Sequence, residues 1–224
     1  MTPNTIQSRL FKSFDEHSER NALEYRGQVL SYAELEERSN VIAHALLAKG
    51  LERGTFVSIF MHDKIQLICS VVGIVKSGCV FMPIDVTYPR ERIKVMLSTT
   101  ETKYILTDDP LASFSDIYEG WTEELDIIHV DTQANEFNGK VRPEQSYGPN
   151  DKTYVFFTSG STGNPKAVVG RNESLLHFIE WEIEEFGITQ DARVSQFTSP
   201  CHNPLLRDIF VPLLSGGAIC IPES

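Results

Sequence analysis

The chain has 224 residues, of which 41% are hydrophobic and 23% charged, so it can form an ordinary globular protein with a sizeable core. Its formal net charge of −11 argues against nucleic acid as a general partner. The N-terminus has no secretory signal, and the most apolar stretch, Leu67 to Val75, is too short to cross a bilayer. We therefore predict a cytoplasmic protein without a membrane partner.

Helices and strands alternate through the first 130 residues. Ser31 and Glu34 form the pattern of a capping box, and the helix that they begin is predicted to end at Gly50. A strand should follow, and Asp63 should then cap a second helix that closes at Gly78. The other elements predicted here are strands at 55–61, 79–83, 104–107 and 125–130 and a short helix at 89–97.

Two polar segments, 108–124 and 131–151, lack apolar periodicity and are predicted to be loops. In the second, the pair Asn138-Gly139 is typical of a type I′ turn. The alternating pattern then resumes with strands at 153–157, 193–197 and 218–221 and helices at 173–186 and 205–214.

This order predicts an α/β fold in which doubly wound, mostly parallel sheets are flanked by helices. We expect a first α/β subdomain at 1–130, a linker at 131–151 and the start of a second subdomain at 152–224.

The segment Thr158 to Lys166 reads Thr-Ser-Gly-Ser-Thr-Gly-Asn-Pro-Lys and lies between a predicted strand and a predicted helix. Its glycines permit close approach of backbone N–H groups to a ligand, its hydroxyls add donors, and its lysine adds a positive charge. The spacing differs from that of a Walker A loop, and the alternative is a Ser/Gly-rich surface loop. We predict that phosphate is bound by Thr158, Ser159, Gly160, Ser161, Thr162, Gly163 and Lys166.

The four cysteines show no metal-ligand spacing, and the six histidines are scattered. Cys69, Cys79 and Cys220 lie in apolar runs and are expected to be core residues in a reducing compartment. No metal site is predicted from these residues.

Several further motifs accompany the loop in a fixed order. They are Leu30-Ser31-Tyr32-Ala33-Glu34-Leu35, the run from Val75 to Asp85, Tyr88-Pro89-Arg90-Glu91-Arg92-Ile93, and Ile105-Leu106-Thr107-Asp108. Together with the loop they closely resemble the signatures of the adenylate-forming (AMP-binding) superfamily, and in particular of nonribosomal peptide synthetase adenylation domains. The resemblance runs from about Phe11 to the last residue and covers less than half of such a domain, so it implies incomplete N-terminal subdomains of an adenylate-forming enzyme.

The resemblance implies an activity in which ATP activates a carboxylic acid as an acyl-adenylate for transfer to a carrier-protein thiol. The acid could be an amino, aryl, hydroxy or keto acid. ATP and Mg²⁺ are the implied cofactors, and phosphopantetheine is implied only on a partner carrier protein. In the family, the Mg²⁺ ligand, the ribose-binding aspartate and the catalytic lysine lie downstream of the segments matched here. We therefore expect the isolated chain to be inactive. The alternative is a non-catalytic structural or docking module in a synthetase assembly.

The stretch from Arg193 to Gly217 resembles the family's fourth signature, in which a Phe-Asp pair usually precedes a helix. His202 and Asn203 stand at those positions, so the carboxylate that commonly pairs with a substrate ammonium is absent. A neutral asparagine fits an acid without a free α-ammonium group, although Asn203 could instead cap the helix. Arg207 occupies a position that usually lines the acid pocket and could pair with a substrate carboxylate or, alternatively, with Asp208.

Overall fold

A computed structural model describes residues 4–109, 125–130, 136–158 and 165–223. The helices of this part are α1 Ile6–His17, α2 Tyr32–Ala48, α3 Lys64–Ser77, α4 Arg90–Thr100, α5 Asn172–Glu185 and α6 Pro204–Ser215. The strands are β1 Asn21–Tyr25, β2 Gln28–Ser31, β3 Phe56–Phe60, β4 Val80–Pro83, β5 Tyr104–Thr107, β6 Asp126–His129, β7 Lys152–Thr158, β8 Lys166–Arg171, β9 Arg193–Ser195 and β10 Ala218–Ile221.

The residues predicted to begin and end the helices do so in the structure. The backbone N–H of Glu34 donates to Ser31 Oγ (3.2 Å), and the Glu34 carboxylate accepts the N–H of Ser31 (2.7 Å), which completes the capping box of α2. Asp63 accepts the N–H of Gln66 at the start of α3. Gly78 ends that helix with a left-handed φ of 80°, which a residue with a side chain rarely adopts.

The strands form two sheets. The order in the six-stranded sheet is β6-β5-β3-β4-β7-β8, and all neighbours are parallel except β7 and β8. The order in the four-stranded sheet is β2-β1-β10-β9, in which β1 and β2 are antiparallel and the other pairs parallel. The predicted fold class, with mostly parallel sheets flanked by helices, is therefore confirmed.

The sheets do not follow the predicted boundary at 131–151. Strands β7 and β8 come after that segment but extend the six-stranded sheet through β4, while β10 pairs with β1 from the start of the chain. A polar stretch marks where the chain runs along the surface. It carries no information about which strands pair on either side of it, so the 1–130 and 152–224 division does not describe the sheets.

Four elements were not predicted, namely α1, β8 and the two strands of the β1–β2 hairpin. Arg26 and Gly27 both have positive φ (49° and 74°) and form the tight turn of that hairpin. The prediction of a type I′ turn at Asn138-Gly139 is wrong, because that turn type requires a positive φ at Gly139 and Gly139 is not among the residues with positive φ. Glycine is needed at 139 for another reason, since a Cβ there would collide with the carbonyl oxygen of Glu37.

Helices α2 and α3 pack closely against each other; α3 also contacts β3 and β4 of the six-stranded sheet, and α2 contacts β1 and β2 of the other sheet. Their contact includes Gly73, where a Cβ would lie 2.7 Å from Ile42 Cβ. Cys69 and Cys79 are buried as predicted, whereas Cys220 is only half-buried. Within the described ranges, no helix combines the length and apolar character needed to span a membrane.

Candidate functional site

The predicted phosphate loop joins two adjacent antiparallel strands. Thr158, at the end of β7, lies opposite Lys166, at the start of β8, and both residues are exposed. Ser159, Gly160, Ser161, Thr162 and Gly163 lie outside the described residues. The loop was predicted to run from a strand into a helix. In the structure the loop is followed by strand β8, so it connects the two strands of a β-hairpin. Helix α5 begins only after the second of these strands.

The loop leaves the sheet beside the end of β4. Strands β4 and β7 are parallel, with Phe81 opposite Tyr154. Asp85 and Thr158 each follow four residues later, so the two chain segments leave the same edge side by side. This is the carboxyl edge of the parallel strands, where α/β sheets bind their ligands.

Asp85 is held by hydrogen bonds on both carboxylate oxygens. Its Oδ1 accepts the hydroxyl (2.7 Å) and the backbone N–H (3.0 Å) of Thr87, and its Oδ2 accepts the Ser199 hydroxyl (2.7 Å). Burial alone would raise the pKa of Asp85, but the bonds from Ser199 and Thr87 outweigh it and the net pKa is lowered. The carboxylate is therefore ionised and already engaged at neutral pH.

Cys201 makes a second connection at the same place. The N–H of Asp85 donates to Cys201 Sγ (3.0 Å), and the thiol donates to the carbonyl oxygen of Pro83 (3.2 Å). The side chain is buried, and burial raises the pKa of this thiol to about 11. The sulfur is thus a neutral hydrogen-bonding group and not a nucleophile at pH 7.

His202 and Asn203 follow directly and are exposed at the start of α6. The N–H of His202 donates to the carbonyl oxygen of Ser199 (3.2 Å), which forms a turn. Asn203 occupies the N-cap position, yet its side chain makes no capping hydrogen bond. The helix-capping alternative is therefore not realised, and the Asn203 amide remains open to solvent.

Arg207 lies on the first turn of α6 between two carboxylates. Its guanidinium donates to Asp208 Oδ1 (3.1 Å) and lies 3.9 Å from Glu182 on α5. The Asp208 side chain is 2% exposed and that of Arg207 is 48% exposed. Burial raises the pKa of Glu182; Arg207 opposes this shift and Asp208 adds to it. The ion-pair alternative for Arg207 is thus realised, while half of its surface stays accessible.

The structure brings the two ends of the loop, Asp85 and the 199–203 segment to one edge of the fold. Sequence reasoning missed Asp85, Ser199 and Cys201 as site residues. One usable signal was present, since Asp85 comes two residues after a buried strand, where side chains at the carboxyl edge of a parallel sheet are found.

No group of three or more His, Cys, Asp or Glu side chains in the described ranges is arranged to hold a metal ion. Because both Asp85 oxygens already accept hydrogen bonds, that carboxylate does not fit as a free ligand for Mg²⁺. No residue of the described part is therefore assigned to Mg²⁺.

Comparison with known sequences gives a consistent picture. The profile of the family described as AMP-binding enzyme matches residues 10–224. A linear gramicidin synthase of Brevibacillus parabrevis is 35% identical over 208 residues, which is 90% of this chain and 4% of that protein. Tyrocidine synthase 1 of the same organism is 28% identical over 225 residues, which is 99% of this chain and 20% of that protein. The chain thus spans only a small part of the length of these relatives.

The fold is also found among solved structures. The N-terminal subdomain of NpsA from Klebsiella oxytoca superposes with a TM-score of 0.85 at 20% identity. The match covers 100% of this chain and 56% of that one.

Proposed function

Because the chain belongs to the AMP-binding enzyme family and corresponds to the N-terminal portion of a nonribosomal peptide synthetase-type adenylation domain, we propose that it serves the ATP-dependent activation of a carboxylic acid. The product of this activation is an acyl-adenylate that is passed to the thiol of a carrier protein. The observation that carries the proposal is that Thr158 and Lys166, the two ends of the predicted phosphate loop, lie at the sheet edge where β4 ends and Asp85 contacts the 199–203 segment.

In this proposal the loop 158–166 binds the β- and γ-phosphates of ATP. Thr158 and Lys166 sit opposite each other where the hairpin opens, so a hydroxyl donor and a cation border the loop. Bound ATP supplies the phosphorus that the substrate carboxylate attacks and the pyrophosphate that leaves. The lysine and the loop donors stabilise the charge that develops on that leaving group.

The acid is proposed to bind at the start of α6. The uncapped amide of Asn203 can donate or accept a hydrogen bond but supplies no counter-charge for an ammonium group. This favours an aryl, hydroxy or keto acid. Arg207 faces Glu182 and Asp208, and a substrate carboxylate would have to share its exposed half with these residues.

We further propose that these 224 residues do not complete the reaction by themselves. The Mg²⁺ ligand, the ribose-binding aspartate and the catalytic lysine implied by the family resemblance are not assigned to any residue of this sequence. The remaining elements of an adenylation domain, Mg²⁺ and a carrier protein bearing phosphopantetheine would complete the reaction. The second candidate is a non-catalytic docking module within a synthetase assembly.

Titration calorimetry with ATP·Mg²⁺ tests the proposal. We expect the unmodified chain to bind and Lys166→Gln to weaken binding about tenfold, the size of one lost charged contact. Lys152→Gln is the matched control because Lys152 is an exposed lysine at the opposite end of β7. Equal effects of the two substitutions would refute the loop assignment. A folded chain that binds no ATP would favour the docking module.

ATP–pyrophosphate exchange over a panel of carboxylic acids tests the claim of incompetence. We expect no exchange above background from the 224 residues alone. Robust exchange with any acid would show that this claim is wrong while leaving the family activity intact.

A further inference from the structure

We propose that Asp85, Ser199 and Cys201 form a latch that fixes residues 196–203 against the end of β4 and thereby positions His202 and Asn203 for the acid. This inference rests on the proposed function for its last step. The latch itself is a structural arrangement that can be tested without any activity.

The latch connects the two sheets. Asp85 follows β4 of the six-stranded sheet, whereas Ser199 and Cys201 lie between β9 of the four-stranded sheet and α6. Three hydrogen bonds cross this junction. They join Ser199 Oγ to Asp85 Oδ2 (2.7 Å), the Asp85 N–H to Cys201 Sγ (3.0 Å), and the Cys201 thiol to the Pro83 carbonyl (3.2 Å).

Both sides of the latch are themselves held in place. On the β4 side, Thr87 donates twice to the second oxygen of Asp85 and so fixes the orientation of the carboxylate. On the other side, the N–H of Gln196 donates to the carbonyl of Cys220, and its amide donates to the carbonyl of Thr198 (2.6 Å). Phe197, by contrast, is 76% exposed and does not anchor the segment.

The positions of His202 and Asn203 follow from these contacts. They come directly after Cys201, and the His202 N–H closes a turn on the Ser199 carbonyl. Asn203 has no side-chain bond of its own to α6. On the side of α6, the backbone N–H groups of Leu205 and Leu206 donate to the carbonyl oxygens of His202 and Asn203. The latch holds the other side of this turn, so Asp85, Ser199 and Cys201 are positioning residues for the Asn203 amide.

The reactivity of Cys201 reports whether the latch is closed. Its thiol is buried in the closed arrangement, so iodoacetamide should modify it only when the segment opens locally. We expect Ser199→Ala to raise the alkylation rate of Cys201, followed peptide by peptide by mass spectrometry, about tenfold. Ser199→Thr retains a hydroxyl and should restore the slow rate.

Thr87→Val is the matched control. It also removes a hydroxyl donor from Asp85, but the backbone N–H of Thr87 still donates to Oδ1 and holds the carboxylate, and neither bond crosses between the sheets. We expect no rise in Cys201 alkylation for this variant and similar thermal unfolding midpoints for all variants. Equal acceleration in Thr87→Val and Ser199→Ala, or a rise that only tracks a fall in the midpoint, overturns the latch.

Ligand protection tests the positioning step. An acid that slows Cys201 alkylation in the unmodified chain should need about tenfold higher concentration in Ser199→Ala, while the affinity for ATP·Mg²⁺ from calorimetry stays the same. Unchanged protection in Ser199→Ala overturns the positioning role. If no acid protects the unmodified chain, the acid-binding function fails and the positioning role with it, whereas the latch is still decided by the alkylation rates alone.

Discussion

Two charged side chains, Lys76 and Asp85, stand in contrasting surroundings a few residues apart. Lys76 is completely buried between helices, where its ammonium donates to Ser39 Oγ and Asn40 Oδ1 (both 2.8 Å) and to the Glu36 carbonyl (3.2 Å). The Phe14 ring lies 4.4 Å from the same nitrogen. Asp85 lies at the edge of a sheet, where Thr87 and Ser199 donate to a carboxylate that keeps partial contact with water.

The difference shows how surroundings decide the effect of a charge. For Lys76, desolvation dominates over the nearby Glu36 and lowers the pKa to about 7. For Asp85, hydrogen bonds outweigh desolvation and favour the charged form. Burial between helices thus destabilises the charged form of Lys76, whereas the hydrogen bonds at the candidate site stabilise the charged form of Asp85.

The largest effect is expected from breaking the helix packing around Lys76. Gly73 lies one turn before Lys76 on α3, and a Cβ there would come within 2.8 Å of the Ser39 carbonyl oxygen. Because backbone cannot move away without separating α2 from α3, Gly73→Val should lower the free energy of unfolding by about 3 kcal/mol or more. Urea denaturation of the two proteins measures this difference in the free energy of unfolding.

Ser70→Ala is the control for that variant. Ser70 lies on the same helix and is buried, but its hydroxyl has no hydrogen-bond partner. Its removal should leave stability unchanged or raise it. A loss in Ser70→Ala as large as that in Gly73→Val would show that α3 tolerates no substitution, and that the close contact at Gly73 is not special.

Much of the fold could be predicted because its helices carry local signals. The capping contacts of Ser31, Asp63 and Gly78 are made with residues no more than four positions away, so the local sequence is enough to predict these helix ends. Strand β8 gives no comparable signal. Its Val168 and Val169 are exposed, and its Gly170 is required because a side chain there would collide with the ring of Tyr154 on β7. That requirement comes from a tertiary contact that the local pattern does not contain.

The candidate site was predictable only in part for the same reason. The loop residues are contiguous, so their composition alone predicts a phosphate site. Ser199 and Asp85 are separated by 114 positions, and Cys201 bonds to Pro83 across 118. The pairing of these residues depends on which edge of the sheet the segment before α6 meets, and that is set by sheet order.

A second prediction uses the pH dependence of stability. Between pH 7 and the free-lysine value of 10.5, the unfolded chain holds a proton on Lys76 that the folded chain has lost. Stability from this group therefore rises with pH, by about 2 kcal/mol between pH 7 and pH 9. Above pH 9 this gain is offset and then reversed, because burial raises the pKa of the Cys69 thiol to about 12 and that of the Cys201 thiol to about 11, and unfolding allows both thiols to ionise.

Lys76→Met should flatten this rise, as measured by urea denaturation at pH 7, 8 and 9. Lys49→Met is the control, because Lys49 is an exposed lysine paired with Asp126 on the surface. If the free energy of unfolding of Lys76→Met still rose with pH as in the unmodified chain, other groups would cause the pH dependence. Burial would then not destabilise the charged form of Lys76 as proposed.

The smallest effect is expected on the acid side, from Asp85. Its folded pKa is below the free value of 3.8, so its contribution to stability is complete above that value and is lost as the pH falls through the folded pKa. Asp85→Asn should therefore lose less stability than the unmodified chain between pH 5 and pH 2.5, whereas Glu19→Gln, at an exposed position, should match the unmodified chain. The difference should be smaller than that for Lys76, because water screens a partly exposed carboxylate. A difference as large as the Lys76 effect would mean that Asp85 supports the whole fold. The carboxylate would then be part of the core's stability and not only the local support of the segment before α6.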